Sequence, residues 1–329
     1  MIKVLVTGAG AVLGQGIFRA LRQSSLDAYI ICADPQPLSA ALYWGDAARL
    51  IPMAHDPSFI DAFSRVLREE RPEVVLVGTD AELPIFAEHR LGLEAEHHTK
   101  ILVSDPAVVE IADDKYRTFE FFRDRDLNPP LSALVDQPLE VERLVDEVGF
   151  PLVVKPRRGA RSVGVSVVRS LPELRQATAN RPGLIIQECV GTDANEYTAS
   201  ALVFDGEAQA TVVMRRDLRD GNTYRAYADH YEELNAMVRQ FGTALQPYGP
   251  ANFQFRLDSA GRARVFEINA RFSGATPLRA LVGFNEVELC IRKLLFGEAI
   301  SQPRVRPATI LRHWSETVID PRAPGGIAR

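Results

Sequence analysis

Apolar residues along this chain fall into two alternating rhythms. Short, nearly uninterrupted apolar runs occur at 3–7, 28–33, 74–78 and 100–104. Between them lie stretches of helical periodicity, through residue 21 after the first run, at 59–70 and at 83–89. Continuously apolar strands separated by helices predict a parallel sheet covered on both faces.

Beyond residue 108 the rhythm changes. A helix is expected over 107–125, stopped by Asn128-Pro129-Pro130, and another over 138–148, closed by Gly149. Strands are expected at 152–156, 165–168, 184–188, 196–204, 209–215, 251–257, 264–269 and 310–318, with helices at 172–179 and 229–245. The pattern predicts an α/β and α+β protein. A parallel-sheet, Rossmann-like domain (1–108) precedes two α+β subdomains (109–185 and 186–329). No internal repeat is present, and a loose Pro/Gly/Arg tail follows Ile319.

Composition narrows the function classes. The 329 residues are 46% hydrophobic and 25% charged, enough apolar content for two or three cores. A net charge of −5 without a dense Lys/Arg run argues against nucleic acid as a partner. The short clusters Arg157, Arg158, Arg161 and Arg215, Arg216, Arg219 suit the phosphates of a small ligand better. Cys32, Cys189 and Cys290 are isolated, which suggests reduced thiols rather than a disulfide framework or a metal site. With no leader pattern and no apolar run of membrane-span length, the expectation is a cytoplasmic protein with no membrane partner. A homodimer is expected only as the commonest assembly.

The most conspicuous motif, Gly8-Ala9-Gly10-Ala11-Val12-Leu13-Gly14, follows a strand and opens a helix. Backbone N–H groups at such a turn can hold a pyrophosphate, and Asp34 ends the second strand where an acid can bind ribose. This is the case for an NAD(P)-dependent oxidoreductase. The spacing is GxGxxxG rather than GxGxxG, and no tyrosine has a lysine four residues on. A tight strand–helix turn, or a substrate-binding role, is the preferred reading.

The second half carries more chemistry. Lys155 ends the apolar run 152–156, and Pro156 turns the chain into a loop over 157–164 in which Gly159, Ser162 and Gly164 leave the backbone supple. A lysine pointing from a strand into a cleft neutralises phosphate oxygens, and a loop with free N–H groups folds over them. Lys115 follows Asp113-Asp114 within the expected helix. Gln187-Glu188-Cys189-Val190 ends an apolar strand where an adenine edge can be read, and Glu196 opens the next strand within reach of a ribose. Two strands joined at 258–261 bring Gln254 beside Glu267. Alternation puts Glu267, Asn269 and Arg271 on one side while Phe266 and Ile268 face a core. Glu267, Asn269 and Gln254 offer oxygen ligands suited to Mg²⁺ bridging nucleotide phosphates, with Arg271 adjoining as an anion clamp.

Taken in order, Lys115, Lys155 with its Gly loop, Gln187-Glu188, Glu196, and Gln254 with Glu267-Ile268-Asn269 resemble the ATP-grasp superfamily. The nearest likeness is its carbamoyl phosphate synthetase large-subunit-like branch, as a single unit. The resemblance extends to about residue 318. It takes in a pre-grasp domain with Val6-Thr7-Gly8-Ala9-Gly10 and Gly78-Thr79-Asp80-Ala81-Glu82. It implies ATP and Mg²⁺ as cofactors. Lys115 and Lys155 would hold phosphates under a lid at 157–164, Gln187, Glu188 and Val190 would frame the adenine, and Glu196 would take the ribose. Arg215 or Arg216 would stand near the γ-phosphate, with Gln254, Glu267 and Asn269 as metal ligands. Arg271 with Ser273-Gly274, and Asp80, would meet the substrate. Arg271, Arg216 and Lys155 would then be the catalytic cations. Departures are Gln254, where other branches place an acid, and Ala270 with a single Gly274 in place of a longer glycine run.

The activity implied is a ligase. A carboxylate is activated as an acyl phosphate and joined to an amine or similar small molecule, releasing ADP and phosphate. A non-catalytic ATP-binding module is the third reading beside ligase and oxidoreductase. Tyr224, Arg225 and Tyr227 are candidates to line a small polar pocket. His230, His313 and Trp314 read as structural, with Trp314 in a core.

Overall fold

The computed structural model describes residues 1–159, 162–319 and 327–328. Ala160 and Arg161 of the Gly/Arg loop, and the tail from Asp320 apart from 327–328, lie outside the described residues. Three sheets organise the chain.

The first is parallel throughout. Ile2–Val6 lies at its centre, flanked by Ala28–Asp34 and Val74–Leu76, with Ala47–Leu50 and Lys100–Leu102 beyond them. The backbone of Ile327–Ala328 adds a parallel edge pair beside Ala48 and Arg49, so the tail is not wholly loose. Val4, Leu5, Val6, Val74, Val75 and Leu76 are fully buried, the consequence of helices on both faces. Ala47–Leu50 is too short to be seen as a strand in the sequence. The helix expected over 83–89 continues to His97.

The second sheet has four antiparallel strands, Ser132–Leu134, Leu184–Glu188, Leu152–Pro156 and Ser166–Val168 in spatial order. Its own small core gathers Leu144, Leu152, Val154, Leu174, Leu184 and Ile186. The third sheet has six antiparallel strands, in spatial order Ala263–Asn269, Gly249–Leu257, Glu196–Phe204, Glu207–Arg219, Asn222–Ala228 and Ala308–Leu311. One hydrophobic cluster joins it to the first sheet, from Val4, Ile17 and Leu76 to Met214, Phe284 and Ile291. The first and third sheets therefore form one base, whereas the four-stranded sheet keeps a separate core.

Several expectations need correction. The helix foreseen over 107–125 is two helices, Pro106–Asp113 and Lys115–Arg123, broken at an extended Asp114. Asp114 caps the second helix by accepting from Tyr116 and Arg117, which frees the Lys115 N–H to donate to the Arg157 carbonyl. The strand foreseen over 310–318 ends at Leu311, and Trp314, expected in a core, is 94% exposed. The strand foreseen over 209–215 runs from Glu207 to Arg219 and pairs with Asn222–Ala228, a strand not foreseen at all.

The glycine turn is filled by its own protein. The Asp34 carboxylate accepts from Gly10 N (2.7 Å), Gln36 N and the Ser39 hydroxyl, and a Cβ on Gly10 would meet Ser39 Oγ at 2.2 Å. Asp34 thus caps the loop rather than offering itself to a ribose.

Beside this turn, Glu82 is buried and accepts from the Thr7 hydroxyl at 2.6 Å. Burial, opposed in part by that bond, raises its carboxyl from 4.5 to about 8. The folded chain thus keeps a proton that an unfolded chain releases near 4.5. The stability gained is complete below that pH and is lost as pH rises through 8. Each pH unit inside the window is worth at most about 1.4 kcal/mol. Melting curves at pH 5 and pH 8 should show wild type losing more stability than Glu82→Gln; parallel losses would contradict the buried neutral carboxyl.

Candidate active site

A cleft of about 250 Å³ opens between the four-stranded and six-stranded sheets. The four-stranded side gives Val153, Lys155, Gly159, Ser162, Val163, Val165 and Val167. The opposite wall gives Arg216, Leu218, Gln254, Phe266 and Glu267, and Gln187–Val190 closes the rear. Val163 is 76% exposed, and Val165 and Val167 are also open, an apolar surface facing a polar floor. That combination suits a flat heterocycle held above a chain of phosphates.

Lys155 sits at the end of Leu152–Pro156 with 5% of its surface exposed. Its Nζ donates to Gln187 Oε1 (2.7 Å) and the Phe266 carbonyl (3.3 Å). Burial lowers its ammonium to about 7 against the raising effect of Glu267. Lys115 is buried too, and its Nζ donates to the Gly159 carbonyl at 2.7 Å, tying the start of the 157–164 loop to its helix. Arg157 grips Asp114 from the same loop. Gly159 and Ser162 line the cleft, whereas Gly164, at φ +75°, forms the turn against Pro156.

At the rear, Glu188 turns its carboxylate away to Arg264 Nη2 (2.6 Å) and Leu131 N (3.0 Å), its own N–H donates to the Leu131 carbonyl (2.8 Å), and Cys189 and Val190 line the cleft beside it. Both oxygens of Glu196 are occupied, one by Arg216 (2.8 Å) and one by Arg256 (2.8 Å). Of the two candidate arginines, Arg216 faces the cleft and also donates to Gln254 Oε1 (2.6 Å). Arg215 lies over the Tyr227 ring, 3.7 Å from its centroid, and pairs with Asp217.

Glu267 is the carboxylate on which the floor converges. Its Oε1 accepts from Gln254 Nε2 (3.3 Å) and Asn269 Nδ2 (3.2 Å), while the two amide oxygens accept from Arg216 and Arg271. One carboxylate with two amides fits a magnesium ion that bridges phosphates, since that ion keeps several waters and takes few protein carboxylates. A cation there competes with the arginines for the amide oxygens. Among the described residues no three His, Cys, Asp or Glu side chains gather into a metal-binding group.

Phe266 corrects the alternation argument. The register shifts between Gln254 and Phe255, so Gln254 pairs with Glu267 but Phe255 with Val265. Phe266 is the extra residue of a β-bulge and lines the cleft instead of the core, its ring 5.4 Å from Lys155 Nζ. Ile268 is buried as expected.

A second cavity of about 140 Å³ adjoins the first and shares Arg216, Gly221, Gln254 and Glu267 with it. Ala11, Val12 and Leu13 of the glycine turn line it with Thr79, Asp80, Thr198, Asn222, Asn252, Arg271, Ser273, Gly274 and Arg312. Arg271 is held by Asp80 through two contacts, Nε–Oδ1 2.7 Å and Nη2–Oδ2 3.0 Å, which stitch the first sheet's loops to the third. Ser273 is buried and accepts from Ala275 N. Tyr224, Arg225 and Tyr227, expected to line a pocket, line neither cavity. Tyr224 lies beside the Arg219 and Arg225 guanidiniums and Tyr227 donates to Asp217. Sequence reasoning misses the wall valines, Phe266, Thr198, Asn252 and Arg312. The spacing of two in Val163, Val165 and Val167 is the available signal.

Known proteins resemble this chain in sequence and fold. The model described as ATP-grasp in the biosynthetic pathway with Ter operon matches residues 180–317, and the RimK-like ATP-grasp domain matches 112–233. From 112 to 317 the chain matches ATP-grasp domains. The N-terminal domain of PylC-like proteins matches residues 4–101 of this chain. The carbamoyl phosphate synthase large chain of Thermoanaerobacter pseudethanolicus is 25% identical over 324 residues, covering 90% of this chain and 29% of that protein. The chain thus spans under a third of the curated relatives it matches. Among solved structures, N5-carboxyaminoimidazole synthetase from Staphylococcus aureus with ADP superposes at a TM-score of 0.74 with 13% identity, over 94% of this chain and 82% of the other. The L-amino acid ligase of Bacillus licheniformis gives 0.66 with 18% identity, over 94% and 78%. The α/β and α+β architecture expected from the sequence is the one found.

Lys155 yields a test of the phosphate site. Burial favours the neutral lysine above pH 7, and a phosphate bound beside it would restore its charge, so nucleotide binding there should take up a proton and weaken as pH rises. Calorimetry of ADP binding at pH 8, in buffers of different ionisation heat, should show uptake approaching one proton for wild type. Lys155→Met should show little uptake and about tenfold weaker binding; equal uptake in both proteins would remove Lys155 from the site.

Proposed function

We propose that this protein is an ATP- and Mg²⁺-dependent ligase that activates a carboxylate as an acyl phosphate and joins it to an amine, releasing ADP and phosphate. The observation carrying the reading is the shared wall. Arg216, Gln254 and Glu267 border both the apolar-walled cleft and the smaller polar cavity, so a nucleotide in one and an acid in the other meet there.

The chemistry follows from charge. A carboxylate attacking a γ-phosphoryl group is repelled by it, and Lys115, Lys155 and Arg216 spread that charge with no protein nucleophile required. Bound at Glu267, Asn269 and Gln254, a magnesium ion would supply further neutralisation of the phosphate oxygens. Gly159 and Ser162 cover the phosphates, Val190 and the Gln187–Glu188 main chain take the adenine edge, and Glu196 reaches the ribose after sharing its arginines. Arg271, Ser273, Gly274 and Asp80 hold the acid. The lid, from Lys115 and the 157–164 loop, excludes water until the amine attacks. In this proposal the parallel domain (1–108) presents the acid, while the subdomains at 109–185 and 186–329 clasp the nucleotide.

Small carboxylates and amines as substrates, a cytoplasmic setting and a homodimer belong to the same proposal. No helix among the described residues is long and apolar enough to cross a membrane. A thermal-shift comparison of Mg-ATP with NAD(H) and NADP(H) is the first test, followed by acid-dependent ADP release with hydroxylamine trapping of the acyl phosphate. Stabilisation by nicotinamide nucleotides alone would return the oxidoreductase reading. Nucleotide binding with no acid-dependent ADP release would leave the non-catalytic one.

A further inference from the structure

The second cavity holds a cation that the proposed chemistry leaves unused. Arg312 follows the strand Ala308–Leu311, and its backbone N–H donates to the Tyr224 carbonyl at 2.9 Å. Tyr224 is itself the extra residue of a bulge, since the register shifts between Asp217 and Leu218. The arginine is therefore set by specific backbone geometry, and its guanidinium reaches in to donate through Nη2 to the Gly274 carbonyl.

The other cations of this cavity are matched by acids. Arg271 is gripped by Asp80 and Arg216 by Glu196. Arg312 is half-buried, and among the described residues it forms no ion pair; the charge that bears on it is another cation, Arg19. Holding a guanidinium out of water without an anion is unfavourable, and most of its five donors are unspent. The cost is recovered if a ligand brings the anion. On the same wall begins the helix Val12–Arg22, whose Ala11 cap offers no side-chain acceptor, so its first N–H groups add to the positive end.

We propose that the acid activated by this enzyme carries a second carboxylate, and that Arg312 binds it. The reacting carboxylate lies toward Arg216 and Glu267, and the second lies at the wall formed by Arg312, Gly274 and Val12. This rests on the ligase reading above and names its substrate class. At about 140 Å³ the cavity is well below the roughly 300 Å³ at which drug-sized pockets begin, which favours a short dicarboxylic acid.

Matched acids provide the test: succinate against butyrate, glutarate against valerate, and glutamate against glutamine, each assayed with the full chain and Mg-ATP for acid-dependent ADP release. At least one dicarboxylate should reach half-maximal rate at about tenfold lower concentration than its partner, as expected of a charge-assisted pair. Arg312→Gln should erase that preference, and Arg312→Lys should retain part of it. Stabilisation by Mg-ADP reports that each variant is folded, and if the glutamine variant fails this check the lysine variant decides. Indistinguishable pairs in wild type, a preference for the monoacids, or a preference undiminished in either folded Arg312 variant would overturn the proposal. Acid-dependent ADP release without a dicarboxylate preference would overturn this inference alone, whereas no acid-dependent release at all would overturn the ligase reading and this inference with it.

Discussion

Replacing Glu267 with glutamine should lower acid-dependent ADP release by at least about a hundredfold while leaving the melting temperature nearly unchanged. The stability half of this expectation comes from the hydrogen bonds. Glu267 Oε1 accepts from the Gln254 and Asn269 amides, and a glutamine oxygen can accept the same two bonds. The activity half comes from charge. Among Gln254, Glu267 and Asn269 only Glu267 bears a carboxyl group, so the variant removes the ligand that would anchor a magnesium ion, and the phosphates would lose that neutralisation. Steady-state ADP release across a magnesium titration is the measurement. Turnover within threefold of wild type would eliminate Glu267 as the metal ligand. Recovery at high magnesium would instead show that the glutamine still ligates, weakly, and would keep the assignment.

Glu267 and its neighbours also mark how far the amino-acid pattern alone reveals the fold and the site. The parallel sheet is legible because its strands are apolar on both faces, a pattern with few alternatives. The hairpin itself is legible from its tight turn, yet the register that turn sets would put Gln254 opposite Phe266, and only the bulge brings it to Glu267. Alternation then fails at Phe266, since a bulge inserts one residue and re-aims the side chain, and nothing in Val265-Phe266-Glu267 marks the insertion. Lys155 stands out by its place at a strand end. Lys115 does not, because its burial depends on a bond to Gly159 across 44 positions. Arg312 is hidden for the same reason. Its role depends on a strand, a bulge and a loop that only tertiary folding brings together. Asp34 shows the opposite failure. Its position suggests ribose binding, yet its oxygens are satisfied by Gly10, Gln36 and Ser39.

The floor of the second cavity rests on a buried ion pair, and breaking it should be the most destabilising single change. Arg279, in the short helix Thr276–Leu281, and Glu286, at the start of Glu286–Phe296, are both fully buried and pair at 3.2 Å. Burial lowers the Arg279 guanidinium below its ordinary range, with Glu286 opposing that effect. Glu286 also accepts from the Thr276 hydroxyl, while the far side of Arg279 donates to Asn252 Oδ1 (2.7 Å) and Thr198 Oγ1 (3.2 Å), both of which line the cavity. Glu286→Ala leaves the guanidinium buried without its anion, a loss of about 3–5 kcal/mol and a fall in melting temperature on the order of 10 °C. Replacing both partners, as Arg279→Met with Glu286→Leu, removes the stranded charge and should restore a large part of that stability. The double variant would still lose the bonds to Asn252 and Thr198, so acid-dependent turnover should stay impaired while Mg-ADP binding in the neighbouring cleft persists. Full recovery of acid-dependent turnover in the double variant would mean that the pair serves folding alone and does not shape the cavity.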